Sequence, residues 1–579
     1  MKFFHVYNEQ FNEGLEKNGL LNKDSGFKVQ HDFPMPEDAK FNVIAAKGGK
    51  LHTLLKEKKI PFYVDRICGG TTWHNYAFDR ELIQEYKEML GDWFLGFQLH
   101  ESCSNRRRAE WPRFIRLMGS KGPYDVEELK AKLISKNKAI GDGQQLYSTS
   151  QDYVEYYADK VYAETYQEFT EEMKELFSRR MADTDNNILP CDSYFLATKL
   201  QHDMGMQTFM PEVGCQIPLM RLAIALARGV AKTTGKTWGA YYECWREVPG
   251  FGYCMPCYND YPMNEWYLLQ SMFGDDFSSC GKNGGSSRLL QNRIYYHALM
   301  SGAHYFSEEW GLNCSYTDME TFELSEYGQV KKDFIQTALT LQDIKAVTPF
   351  AIVLPKEYGC IELPDIFTPW TLGEHRDDYM SSPLTEEEKH YFGHLEDVLK
   401  LFYARVGTLY GNESHVLTNS RLADVADIIY EDVEETAFGN YEYLIDATPD
   451  GRFAKAMAGK GLNVLESGDL NKLEATVKEL SRELLPCYVD GLHWLVSTGE
   501  NGRQFVSIFN NEGNERDLKQ GDIIHHDADR TVNLTFKTPA EVKVIAQSAM
   551  AAEVSGKDGL SYQVKVPAAG FVVLEFVQK

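Results

Sequence analysis

Trp93-Phe94-Leu95-Gly96-Phe97-Gln98-Leu99-His100-Glu101 is a short, largely apolar run that ends on an acid. Just upstream, Asp79 opens a stretch carrying Leu82, Ile83, Tyr86, Met89 and Leu90 at helical spacing, closed by Gly91. An Asp cap, an apolar stripe and a terminal glycine together predict a helix. A helix feeding a buried strand is half of a βα repeat, and the pattern recurs along the chain. Runs at 27–33, 41–46, 60–66, 93–101, 188–194, 208–213, 237–244 and 303–308 read as eight strands, with 349–354 following. If 27–33 is not a strand, 349–354 becomes the eighth and every index drops by one. Between them, one long amphipathic helix runs through Tyr153, Tyr157, Val161, Phe169, Met173 and Leu176. Others carry Leu219, Leu222, Ala223 and Leu226, or Leu290, Ile294, Tyr295 and Leu299. Eight such units over residues 1–355 predict an α/β fold, a (β/α)8 TIM barrel.

Downstream the pattern changes twice. Residues 356–384 are rich in Pro, Gly, Asp and Tyr and read as a loop or linker. The capping box Thr385-x-x-Glu388 then opens a small doubly wound α/β domain over 385–486. Its elements are a helix from 385, a helix-like stretch at 422–430, a strand at 443–446, a helix near 451–457, a strand at 462–465 and a helix at 471–485. Residues 487–579 alternate apolar and polar positions in short strands and predict a C-terminal β-sandwich.

Composition narrows the function. The 579 residues carry a net charge of −25, which repels phosphate backbones and anionic membrane surfaces, so nucleic acid and membrane are not expected partners. No apolar run spans a bilayer, and the polar start Met1-Lys2-Phe3-Phe4-His5-Val6-Tyr7-Asn8-Glu9 is no secretory core. The chain therefore reads as cytoplasmic, or secreted if a signal peptide has been removed. Eleven irregularly spaced cysteines read as reduced thiols. The 33 Tyr, 32 Phe and 9 Trp cluster in segments that also carry carboxylates, a mixture suited to stacking on sugar rings and binding their hydroxyls.

A barrel's active site forms at the C-terminal ends of its strands. Glu101 ends one predicted strand, with Leu95, Phe97 and Leu99 on the same face by period-two alternation. Glu212, in Met210-Pro211-Glu212-Val213-Gly214, ends another. A third finishes in Ser307-Glu308-Glu309-Trp310, where alternation alone does not say whether Glu308 or Glu309 points inward. The same mouth should collect Asp65, Arg66, His100, Tyr242, Glu243, Trp245 and, from the loop at 69–74, Trp73.

Paired carboxyls beside aromatic residues suit glycosidic-bond hydrolysis, in which one acid protonates the leaving oxygen while another attacks or activates water. Glu101 is the expected general acid/base and Glu308 the nucleophile or base, with Glu212 the second choice and Glu309 an unresolved neighbour. Asp65, Arg66, Trp73, His100, Tyr242, Trp245 and Glu309 are expected to bind substrate, a carbohydrate, with no cofactor and no metal. Two rivals remain: a metal-dependent sugar-active enzyme using Cys254 and Cys257, and a non-catalytic carbohydrate-binding protein.

The order of barrel, small α/β domain and β-sandwich resembles that of the glycoside hydrolase family 42 β-galactosidases, and more broadly the clan-A retaining glycosidases. The segments 302–309, Leu324-Ser325-Glu326-Tyr327-Gly328 and 505–511 resemble their last barrel strand, next helix and accessory β-domain. The resemblance implies an acid after the fourth strand, usually as Asn-Glu, and a nucleophile after the seventh; here His100-Glu101 stands in the first of those places. It also implies that residues 385–486 join a homo-oligomer interface or close one side of the cleft.

Overall fold

The computed structural model describes residues 1–30, 37–67, 76–104, 111–140, 148–192, 197–214, 220–248, 252–254, 282–309, 314–318, 320–359, 385–403, 417, 419–517, 519–556 and 558–579. Eight parallel strands form its first sheet: β1 (Lys2–Val6), β2 (Ser25–Gln30), β3 (Phe62–Ile67), β4 (Phe94–His100), β5 (Ile188–Cys191), β6 (Glu212–Gly214), β7 (Gly239–Glu243) and β8 (Tyr305–Glu308). They pair in the order β5-β4-β3-β2-β1-β8-β7-β6. The two ends of that sheet meet, because Met210 N–H donates to the Pro190 carbonyl at 3.0 Å and Glu212 N–H to that of Asp192 at 3.3 Å. The sheet is thereby a barrel, as the repeat predicted.

One predicted barrel element changes type and another divides in two. The run at 41–46 lies mostly in a helix, Glu37–Ile44, and the first strand is instead Lys2–Val6. The long helix expected through Tyr153 and Leu176 is two, Gln151–Ala158 and Tyr166–Asp183, the second opened by a capping box between Thr165 and Glu168. The helix at Asp79 forms as expected: α1 (Arg80–Leu90) takes hydrogen bonds from Glu81 and Leu82 onto the Asp79 carboxylate. Three more barrel helices matter below: α2 (Met220–Thr234), α3 (Arg288–Met300) and α4 (Glu326–Ala338).

The second unit is a four-stranded parallel sheet of β9 (Phe350–Leu354), β10 (Ala426–Tyr430), β11 (Tyr443–Asp446) and β12 (Val464–Glu466), ordered β10-β9-β11-β12. Its β9 comes from within the stretch assigned to the barrel, and the helix-like reading of 422–430 is corrected, since five fully buried residues there form the strand β10. The Thr385/Glu388 capping box is present, with both backbone N–H groups bonded at 2.7 and 3.2 Å. The C-terminal block is a sandwich of two antiparallel sheets, as predicted; one has four strands and the other five, the fifth being Lys345–Ala346 from upstream. Among the described residues, no helix is long and apolar enough to cross a membrane.

Candidate active site

The barrel is filled from the bottom by Phe4, Tyr63, Leu95, Leu189, Cys191, Met210, Tyr241 and Tyr305, one packed apolar cluster. Above this floor the inward positions turn polar. Lys28 and Asp65 form a fully buried ion pair at 2.6 Å, and Tyr241 Oη donates to the same carboxylate at 3.3 Å. Lys28 also donates to the Glu308 carbonyl at 2.7 Å, which fixes the end of β8.

Two irregularities then aim the top layer. The β3–β4 pairing shifts register after Phe62 and again between Val64 and Ile67. Gly96 sits at φ +91°, with its Cα face against the Asn187 backbone, where a Cβ would lie 2.3 Å from the carbonyl oxygen. This bulge overturns the expected inward column of Leu95, Phe97, Leu99 and Glu101: Phe97 packs outward on Phe41 and Phe78, and His100 takes the inward place. Arg66 and Glu101 then adopt left-handed backbones, at φ +66° and +46°. Such strain in non-glycine residues clusters at functional sites.

The carboxyls converge on this layer. One oxygen of Glu101, one of Glu212 and one ring nitrogen of His100 lie within 4.8 Å of one another. His100 Nε2 is 3.7 Å from Glu101 Oε2 and 3.9 Å from Glu309 Oε1. Glu309 is buried, ion-paired to Arg66 and hydrogen-bonded by Trp245 Nε1 at 2.6 Å. Glu243, at the end of β7, is completely buried. Gly214 lets β6 pass it, since a Cβ there would lie 2.3 Å from the Glu243 carbonyl oxygen. On the side of β5, Asp192 accepts from Cys103 N–H at 2.8 Å and Ser102 Oγ at 3.3 Å, holding the turn that follows Glu101.

Electrostatics separate these acids. Burial pushes the Glu212 carboxyl well above the usual carboxylate range, and the charges of Glu101, Glu309 and Glu243 push the same way against Arg66. Burial also raises Glu309, opposed first by Arg66. His100 is driven well below its ordinary value by burial and by the Arg66 and Lys28 charges, so it is neutral.

Of the expected site residues, the structure brings together Glu101, Glu212, Glu309, His100, Asp65, Arg66 and Trp245. It does not bring Glu308 or Tyr242 there. Tyr305, Ser307 and Glu309 face inward, which leaves Glu308 on the outer side of β8, ion-paired to Lys331 and bonded by Tyr295 and by Tyr327 at 2.6 Å. Tyr242 likewise faces α3, bonded to Ser286 and edge-on to Tyr295. Trp73 and Cys257 lie outside the described residues, while Cys254 ends the short strand Gly252–Cys254. Glu243 was gathered to the mouth in sequence but given no role; its place at the end of a strand was the available signal.

No family model matches the chain, and no curated protein does. Among solved structures it is similar to "Alpha-L-fucosidase isoenzyme 2 from Paenibacillus thiaminolyticus", with 11% identity over 99% of this chain and 96% of that one and a TM-score of 0.39. It is also similar to a polyextremophilic β-galactosidase from the Antarctic haloarchaeon Halorubrum lacusprofundi, with 10% identity over 99% of both chains and a TM-score of 0.36. Likenesses this distant argue nothing about activity, and the barrel rests on its own strand pairing.

Proposed function

We propose that this chain is a glycoside hydrolase that cleaves an oligosaccharide or glycoside at the barrel mouth, with Glu101 and Glu212 as its carboxyl pair. The observation that carries the reading is their approach within 4.8 Å, Glu101 just past the C-terminal end of β4 and Glu212 at the start of the short β6. Carboxyls about 5–5.5 Å apart suit a retaining mechanism, whereas inversion needs about 6.5–9.5 Å to admit a water between them. Two acids this close share one proton at neutral pH. Deep burial among other carboxylates assigns that proton to Glu212, which donates it to the leaving oxygen, and Glu101 attacks the anomeric carbon. Water then resolves the glycosyl-enzyme with Glu212 as base. Arg66 and Trp245 hold Glu309 beside the pair, where it accepts from sugar hydroxyls.

A second reading has its own support. With Lys2–Val6 counted, Glu101 follows the fourth strand and Glu243 ends the seventh, the places that the clan-A pattern gives to acid and nucleophile. Leaving-group dependence separates the two. Under the first reading, Glu212→Gln slows glycosides with poor leaving groups by roughly 10²–10⁴-fold and spares activated aryl glycosides, while Glu101→Gln slows both classes. If Glu101→Gln instead spares the aryl glycosides and Glu243→Gln slows everything, the roles are those of the second reading. A folded protein that turns over nothing in a broad panel of natural and aryl glycosides is a carbohydrate-binding protein at most, and the proposal fails.

A further inference from the structure

Acidic mouths are common, and the carboxylates here do not by themselves mark a ligand site. His100 does. Its side chain is 1% exposed and ends among carboxylates, yet neither ring nitrogen has a hydrogen-bond partner among the described residues. Glu212 Oε2 is buried and without a partner in the same way. Buried polar atoms are nearly always satisfied, so two such groups facing one point call for a ligand.

We infer that His100, Glu101 and Glu212 bind one divalent transition-metal ion, zinc by donor chemistry, and that this ion switches the site off. One imidazole nitrogen and two carboxylate oxygens are the donor set of open zinc sites, which leave a fourth position to water or substrate. Donors at the corners of a 4.8 Å triangle would lie about 2.8 Å from a central ion, so closing to lengths of about 2.0–2.2 Å takes shifts of well under 1 Å each. Glu101, with its side chain 29% exposed, has the room to make most of that movement. The charge is right as well: Glu243 and Glu309 stand close by, and Arg66 is engaged by Glu309. The imidazole disfavours magnesium and calcium, which take oxygen donors.

Inhibition rests on the proposed function, because the ion would occupy both members of the carboxyl pair; binding does not. Calorimetric titration of the metal-stripped full chain with zinc chloride should therefore show one saturable site, with magnesium chloride at the same concentrations giving no saturable heat. His100→Gln and Glu212→Gln, each checked for folding by circular dichroism, should each weaken zinc roughly tenfold or more. Absence of a saturable zinc site, or affinity unchanged in the folded variants, overturns the inference. If the stripped protein hydrolyses glycosides and stoichiometric zinc leaves the rate unchanged, the inference fails while the hydrolase stands. If zinc binds as described and no glycoside turns over, the site stands and the hydrolase falls.

Discussion

Glu308 and Glu309 are adjacent and chemically identical, and the fold gives them opposite jobs. Glu309 looks into the mouth; Glu308 is a buried anchor between β8 and the helices α3 and α4, tied to Tyr295, Tyr327 and Lys331. Removing one member of a buried ion pair leaves the other charge uncompensated, at a cost of about 3–5 kcal/mol. Glu308→Gln should therefore lower stability on that scale, measured by urea unfolding, while the fraction that stays folded keeps its turnover. Turnover abolished in a variant of unchanged stability would put Glu308 back among the reacting groups. The sequence could show that a carboxyl ends this strand, but not which one points inward. That choice is made by the strand's registration on Gly239–Tyr242 and by partners 13 to 23 residues further along or back, none of which alternation within β8 encodes.

Elements were legible where their period was long and their ends were marked. The helix at Asp79 and the capping box at Thr385 were read correctly because cap chemistry is local. Most short apolar runs were read as the strands they are, but 41–46 and 422–430 were misread, since a buried helix and a buried strand fit them equally well until tertiary packing decides. The bulges at the ends of β3 and β4 were invisible for a related reason: an extra residue in one strand is defined only against its partner. Glycines mark where strands crowd, and Gly214 makes the sharpest prediction at this scale. A Cβ there would sit 2.3 Å from the Glu243 carbonyl oxygen, a backbone atom that cannot swing aside. Gly214→Ala should force β6 from β7, costing about 1–3 kcal/mol by overpacking and displacing Glu212 and Glu243 together. The expected result is a turnover loss of tenfold or more in protein that remains folded at 25 °C. Wild-type turnover and an unshifted melting temperature would show that the strands part without consequence for the site.

At the scale of the whole molecule, the order of barrel, α/β domain and sandwich was readable because each has its own hydrophobic period, but nothing local disclosed how the three are joined. They meet at one buried carboxylate. Asp424, just before β10, accepts from His297 of α3 at 3.0 Å, from His493 of the sandwich, and from Arg221 of α2 at 3.1 Å. Burial alone would raise its pKa, but Arg221 and the two histidines hold it well below the usual carboxylate range. Asp424 offsets the histidines' burial only in part: burial, reinforced by Arg221, pushes His493 down to about 3, and burial lowers His297 too.

The consequence is an acid-labile junction. Between roughly pH 6.5, where an unfolded histidine titrates, and about 3, the unfolded chain binds a proton at position 493 that the folded chain refuses. Stability therefore falls as pH drops through that window, by an amount that approaches the order of 5 kcal/mol for this one group at its acid end. Asp424 adds to this only below about pH 4, where an unfolded aspartate takes up a proton that the folded one refuses. Neutralising part of the net charge of −25 works the other way, by relieving repulsion, and would mask the effect in a single melting curve. A comparison of slopes removes that background, because it is common to wild type and variant. His493→Gln keeps a side-chain donor for Asp424 and has no proton to gain, so its melting temperature should decline less steeply than wild type between pH 6.5 and 4, whatever its absolute value at neutral pH. Parallel slopes would mean that the junction does not carry the acid sensitivity.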